Sequence, residues 1–89
     1  MSKYTIPQVN LNGTSRDDLI AQQEAVAKAS RQLAYALIQA RPHGRDYVFR
    51  PHELQAAQDE HADDYRALDG INERAEAILK ALHQPDYLP

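Results

Sequence analysis

A short basic stretch in the middle of the chain holds most of the side chains that could bind a charged ligand. Two aromatic residues, Tyr47 and Phe49, and a single acid, Asp46, accompany its basic residues. Those basic residues fall within twelve positions and are Arg41, His43, Arg45, Arg50 and His52. Arginine forms bidentate hydrogen bonds with phosphate, and an aromatic ring can stack on a base. The composition therefore indicates a site for a small phosphorylated ligand that contains a ring.

Each residue of this stretch has an expected role. We expect Arg45 to bind the phosphate and Tyr47 to contact the ring, with Arg41 and Arg50 as secondary contacts. Asp46 would orient Arg45, or accept a hydrogen bond from a ribose hydroxyl or a base amino group. Backbone amides at the start of the following helix would add donors for an anion.

The same stretch also has a structural interpretation. Tyr47, Val48 and Phe49 would close the end of a helical hairpin with apolar side chains. The arginines would then bind the carbonyl groups that end the preceding helix and would otherwise be solvated. The sequence leaves both interpretations open.

A second candidate site precedes the first predicted helix, at Asn12, Gly13, Thr14 and Ser15. Amides and hydroxyls beside a glycine at a helix N-terminus can bind a phosphate. The stretch lacks the lysine of a P-loop, so capping by Thr14 or Ser15 is the simpler role. In a single hairpin this turn lies at the opposite end from the basic stretch. Asn12, Gly13 and Thr14 would therefore share a ligand with Arg45 only if they came from another subunit, packed head to tail.

An acidic segment in the second half of the chain, residues 59–64, contains His61 and Asp64 at positions where apolar residues are expected. Counting from the predicted loop places these two residues opposite positions 29–32. The first interpretation is a buried polar layer that sets the register of the helices. The second is a metal or acid–base site, since imidazole and carboxylate one turn apart can act as ligands. The spacing matches no zinc-protease or di-iron pattern, so we expect no metal and no catalytic residue.

Prolines and glycines divide the chain into an arm, two helices and a tail. No proline or glycine occurs between Ser15 and Arg41, and Pro42 ends that run. Pro51 suits the first turn of a second helix, which Pro85 ends. The prediction is an all-α antiparallel two-helix hairpin over residues 14–84, with an extended arm at 1–13, helices at about 15–41 and 52–83, a loop at 42–51 and a tail at 85–89.

Heptad spacing predicts which faces of the two helices meet. The first helix would contribute Leu19, Val26, Leu33 and Ala40, with Gln22, Ala29 and Ala36 between them. The second would contribute Leu54, His61, Leu68, Ala75 and Leu82, with Ala57, Asp64, Ile71 and Ile78 between them. Further apolar residues, among them Ile20, Ala27 and Ala34, widen the face beyond one seam. Gly70 marks a kink, a break or a point of close packing in the second helix.

Composition sets limits on the class of protein. The chain has 89 residues, a net charge of −3 and no cysteine, which excludes disulfide scaffolds, zinc fingers and thiol chemistry. The acidic balance argues against general nucleic-acid binding. No apolar run has the length of a membrane span, and no signal peptide is visible, so we expect a cytoplasmic protein without a membrane partner. The small chain and thin apolar core favour a homo-oligomer.

Three stretches resemble short helical-hairpin proteins encoded by bacteriophages and prophages. They are the pattern from Ile6-Pro7 to Thr14-Ser15, the run Gly44-Arg45-Asp46-Tyr47 and the pair Glu60-His61. The resemblance covers most of the chain but implies no activity. The usual pattern has Asn before the Gly-Arg-Asp-Tyr run and an aromatic residue after it, where this chain has His43 and Val48.

A looser similarity, at the level of fold, is to the oligomeric phage proteins that sequester the cyclic nucleotide signals of bacterial antiviral defence. It implies a non-enzymatic anti-defence protein that binds a small anionic nucleotide without a cofactor. One alternative is an acidic helical decoy or inhibitor that docks on a basic host protein through residues 59–64. Another is a small component of the virion or its scaffold.

Overall fold

The computed structural model describes residues 3–84 and shows an all-helical hairpin, as the sequence predicts. Helix α1 spans Arg16–Gln39, and helix α2 spans Glu53–Leu82. A single 3-10 turn, Gly44–Asp46, lies between them, and no strand occurs among the described residues. Each helix is one or two residues shorter at its ends than predicted. The predicted tail at 85–89 lies outside the described residues.

Local signals explain where α1 begins and ends. The Ser15 hydroxyl accepts a hydrogen bond from the backbone N–H of Asp18 at 3.1 Å, so Ser15 rather than Thr14 caps the helix. Asp17 and Asp18 in the first turn favour the positive end of the helix dipole. Pro42 disfavours a helical conformation for the residue before it, so α1 ends at Gln39 rather than at the predicted position 41.

Helix α2 runs unbroken through Gly70. The backbone at this glycine has an ordinary helical conformation with no positive φ. A Cβ built at Gly70 would meet nothing within 4 Å. Of the three predicted roles for Gly70, a break and a point of close packing within the chain are therefore wrong.

Three hydrogen bonds between the helices show that they are antiparallel and fix their register. The His61 imidazole donates to the Leu37 carbonyl at 2.7 Å, and the Tyr65 hydroxyl donates to the Ala34 carbonyl at 3.4 Å. At the other end, the Arg16 Nε–H donates to the Leu82 carbonyl at 2.5 Å. In each bonded pair the two residue numbers add up to 98 or 99. A residue of α1 therefore lies level with the α2 residue whose number completes that sum.

This register differs from the predicted one, in which position 61 lay opposite residues 29–32. The reason is that the connection is not symmetric. The start of α2 extends beyond the end of α1, and the connection runs back alongside it, with Gly44 close to Leu54. Counting from the middle of the loop therefore misplaces α2 by more than one turn.

The seam within the hairpin uses a different stripe of α1 from the predicted one. The buried residues of α1 are Ala27 and Ser30, whereas Val26 and Leu33 remain 37% and 50% exposed. In α2 the prediction is confirmed for the buried residues Leu68, Ala75, Ile78 and Leu82. It is wrong for the exposed Asp64 and Ile71, because the seam passes through the half-buried positions 65 and 72 instead. Small residues at positions 27 and 30 let the helices approach closely.

The predicted arm has no regular secondary structure over residues 5–10. It lies against the helices of the same chain. The Lys3 ammonium lies 3.9 Å from the Glu73 carboxylate, which places the beginning of the arm beside α2. Ile6 and Val9 are half-buried. The molecule is elongated, 61 Å along its longest axis and 20–23 Å across. Neither helix within residues 3–84 carries an apolar stretch that would cross a membrane.

Candidate anion-binding cleft

The end of α1 and the 3-10 turn together build a cleft at one end of the hairpin. The His43 Nδ1 accepts a hydrogen bond from the backbone N–H of Arg45 at 3.3 Å and so caps the turn. The Asp46 N–H donates to the His43 carbonyl, and the Tyr47 N–H donates to the Gly44 carbonyl, both at 3.0 Å. These bonds hold the backbone between His43 and Tyr47 in one conformation, from which the side chain of Arg45 projects.

The cleft has a volume of about 370 Å³ and is predominantly polar. It is lined by Ile38, Gln39, Arg41, His43 and Arg45. Two guanidinium groups, an imidazole and an amide thus lie around one space, and no carboxylate is among these lining residues. The volume is near the lower end of the range for small-molecule sites, about 300–1,000 Å³. The arrangement can bind a small anion through charge-assisted hydrogen bonds.

The structure brings together only part of the predicted site. Arg45 and the secondary candidate Arg41 line the same cleft, whereas Asp46 is exposed on the turn and Tyr47 is half-buried beside it. Arg50 is directed to the first turn of α2, where its Nε lies 3.4 Å from a carboxylate oxygen of Glu53. Arg50 therefore already has an acidic partner.

The structural interpretation of this stretch is wrong for two of its three residues. Val48 is 66% exposed and Phe49 is 97% exposed, so neither side chain closes the end of the hairpin. Only Tyr47 is half-buried. The Phe49 side chain, four residues after Arg45 in the sequence, is almost fully exposed and therefore available for contact with a ligand ring.

Sequence reasoning missed Ile38 and Gln39 in the cleft. Both lie on the last turns of α1, and their types carry no signal for anion binding. It noted Phe49 but gave it no role in the site, although the alternation of aromatic and basic residues in this stretch was the available signal.

The predicted second half of the site lies at the other end of the molecule. The Asn10 side chain accepts a hydrogen bond from the Asn12 N–H at 3.0 Å, and the Asn10 carbonyl accepts one from the Gly13 N–H at 3.2 Å. These two amides therefore form the turn and are not free for an anion. The exposed side chains of Asn12 and Thr14 remain available. Within one chain α1 separates them from Arg45.

The predicted polar layer of His61 and Asp64 does not form. His61 is half-buried, donates to the Leu37 carbonyl and lies 6.0 Å from the Tyr65 ring. Asp64 is exposed and lines a shallow groove instead. Tyr65, one residue further, provides the second polar contact to α1. Within residues 3–84 no three His, Asp or Glu side chains lie together as metal ligands would.

A larger hollow of about 560 Å³ lies on the outer side of α1. Its lining residues are Lys28, Arg31, Gln32 and Tyr35. All four are exposed and belong to a single helix. No second element fixes their side chains, so the smaller cleft at the turn is the better-organised basic site.

No known protein family, curated protein or solved structure matches this chain.

Proposed function

We propose that this chain is a non-enzymatic, self-associating binding protein that sequesters a small nucleotide-type anion in the host cytoplasm. The observation that carries the proposal is the convergence of Arg41, His43 and Arg45 on one cleft. A multiply charged ligand must find compensating charge when it leaves water, and these residues supply it.

The donors in the cleft have complementary geometries. Each guanidinium offers a planar fork of N–H groups that matches two phosphate oxygens. Because the His43 Nδ1 accepts from the turn, a neutral His43 ring carries its proton on Nε2, which can donate to a third oxygen. Three separate side chains can therefore bind one phosphate or two linked phosphates.

Two aromatic residues follow the turn in the sequence and could contact the ring of the ligand, Tyr47 immediately and Phe49 two residues later. Phe49 is exposed on all sides, and Tyr47 is half-buried. The predicted contact between Tyr47 and the ring remains part of the proposal, and Phe49 joins it as a second aromatic contact. Asp46, exposed on the same turn, would accept a hydrogen bond from a ribose hydroxyl or a base amino group.

Sequestration of a cyclic nucleotide immune signal is the specific form of this proposal. Its support is the resemblance to phage-encoded helical hairpins and the looser similarity to phage proteins that bind such signals. On this proposal the protein counters antiviral defence by lowering the free concentration of the signal.

The test is a melting-temperature screen of the purified protein with cyclic mononucleotides, cyclic dinucleotides and linear nucleotides. A ligand at a hundred times its dissociation constant stabilises the fold by about 2.7 kcal/mol, which is several degrees for a small domain. The Arg45→Ala variant should lose most of the shift, whereas Arg31→Ala, in the hollow on α1, should keep it. No shift with any nucleotide, or an equal shift in Arg45→Ala, would contradict the proposal.

One observation supports the alternative function, an acidic decoy that binds a basic host protein. Asp59, Glu60, Asp63 and Asp64 are all exposed on α2. Two of them already have partners, because Asp59 accepts from Gln55 and Asp63 pairs with Arg66. A decoy would bind a defined basic host protein in a salt-dependent manner, and Arg45→Ala would leave that binding unchanged.

A further inference from the structure

One side of the hairpin presents an apolar surface that nothing in the described chain covers. We define this open face by residues that recur on one side of each helix: Val26, Ala29, Leu33 and Ala36 on α1, and Asp64, Ala67, Ile71 and Arg74 on α2. Leu33 is 50% exposed and Ile71 is 53% exposed. The two helices form a groove of about 300 Å³ there, lined by Leu33, Leu37, Asp64, Ala67, Leu68 and Ile71.

The open face carries a second helix-packing pattern beside the one used within the chain. On α1 the spacing of positions 26, 29, 33 and 36 is three and four residues, as in a bundle seam. Positions 27, 30, 34 and 37 have the same spacing and already form the seam with α2. A helix with two adjacent seams is typical of a bundle with more than two helices.

We propose that a second copy of this chain packs on the open face, with the loops at opposite ends, to form a four-helix bundle. Each helix would pack antiparallel to the same helix of the partner, around a two-fold axis perpendicular to the helices. An interface of this kind must be self-complementary, because the same residues occur on both sides.

The charged positions and the larger apolar positions of the open face meet this requirement about a single axis. On α2 the charged positions 64 and 74 are symmetric about position 69, and so are the apolar positions 67 and 71. On α1 positions 26 and 33 are symmetric about the midpoint of 29 and 30. The register of the hairpin places position 69 level with position 29 or 30, so one axis serves both helices.

Charge complementarity selects this arrangement. About the proposed axis Asp64 lies opposite the partner subunit's Arg74, and the pair occurs twice. Neither residue forms an ion pair within residues 3–84. An axis parallel to the helices would instead set both charges against α1, which contributes no charged residue to the open face, so they would be buried without partners.

The arrangement has a consequence that rests on the proposed function. Antiparallel packing brings the end of one copy that carries Asn12 and Thr14 to the end of the bundle where the partner's basic cleft lies. This dimer would thus permit the predicted head-to-tail sharing of a ligand by the two stretches. The dimer does not need the ligand, so the two proposals can fail separately.

Sedimentation equilibrium with charge-reversed variants tests the interface. The parent protein should be a dimer at about 100 μM. Arg74→Asp and Asp64→Arg should each raise the dimer dissociation constant about tenfold or more, because each reversal creates two like-charge contacts. The combined variant should restore the dimer. Arg31→Asp and Asp69→Arg, which lie outside the open face, are the matched controls and should leave it unchanged.

A cysteine cross-link tests the orientation, since the parent chain has no cysteine. Ala29→Cys lies beside the proposed axis and should form a disulfide-linked dimer under oxidation, whereas Arg31→Cys, in the hollow on the outer side of α1, should not. A monomeric parent, reversals without effect, or a combined variant that stays monomeric would overturn the interface. Equal cross-linking at both cysteines would overturn the orientation.

Discussion

At the scale of single residues, Gly70 destabilises its helix without a packing role that would require a glycine. It lies inside α2, and a Cβ there would meet nothing within 4 Å. Gly70→Ala should therefore raise the free energy of unfolding by about 0.5–1 kcal/mol, because alanine loses less backbone entropy in a helix. Urea denaturation followed by far-ultraviolet circular dichroism measures the change. A loss of stability would show that another part of the molecule packs against Gly70.

Asn72 is a polar residue at a seam position. Its side-chain oxygen is buried and has no hydrogen-bond partner among the described residues. A buried polar group without a partner costs about 1–3 kcal/mol, so Asn72→Leu should raise the melting temperature. Gln32→Leu, a similar change at an exposed position on the outer side of α1, is the control and should have little effect. A lower melting temperature for Asn72→Leu would show that the amide is bonded in solution.

At the scale of the helices, each one has its C-terminal end capped by a side chain of the other. Arg16 on α1 donates to the carbonyls of Leu82 at 2.5 Å and Gln84 at 3.2 Å. His61 on α2 donates to the Leu37 carbonyl in the last turns of α1. A positive charge at a helix C-terminus also favours the helix dipole. These two contacts at opposite ends of the seam fix the register of a hairpin with a small core.

Arg16→Ala should lower the free energy of unfolding by about 1.5–3 kcal/mol, the range for hydrogen bonds to a charged group. Arg31→Ala, an exposed arginine with no hydrogen bond to α2 among the described residues, is the matched control. Chemical denaturation of both variants provides the comparison. An equal effect in the two variants would mean that the contacts of Arg16 contribute nothing to the register.

The sequence predicts the helices well because their ends have strong local signals. Ser15, Pro42 and Pro51 act on the backbone directly, and the structure places the helix ends within two residues of the predicted positions. The sequence does not predict which face of α1 packs against α2, because two adjacent stripes of this helix have the same heptad spacing. The prediction took the larger side chains of Val26 and Leu33, whereas the chain buries the smaller ones that permit closer contact.

The site was predictable only where charge identified it. Arg41 and Arg45 stand out in an acidic chain, and the structure places both at one cleft. Ile38 and Gln39 complete that cleft, but their types are ordinary for a helix, so only the path of the backbone reveals them. The same limit applies to Asp64. It is exposed because the seam of α2 passes through the neighbouring position 65, and the sequence pattern does not distinguish the two positions.

At the scale of the whole molecule, the thin core and the open face together predict that stability depends on protein concentration. Dimerisation stabilises the folded state by mass action, so the melting temperature should rise as concentration increases. Leu33→Glu should abolish this dependence, because it places a charge in the centre of the open face. Tyr35→Glu, at a position that is 68% exposed on the same helix but outside that face, should retain it. Scanning calorimetry at several concentrations distinguishes the two variants.

A nuclear magnetic resonance titration can show whether the cleft at the turn binds a nucleotide-type anion. Cyclic dinucleotides and cyclic mononucleotides would be added to nitrogen-15-labelled protein. We predict saturable shifts of the backbone amides of Arg41, His43 and Arg45, which disappear in the Arg45→Ala variant while the rest of its spectrum is unchanged. The proposal would be contradicted if no nucleotide produced saturable shifts, or if the shifts were confined to the hollow between Lys28 and Tyr35.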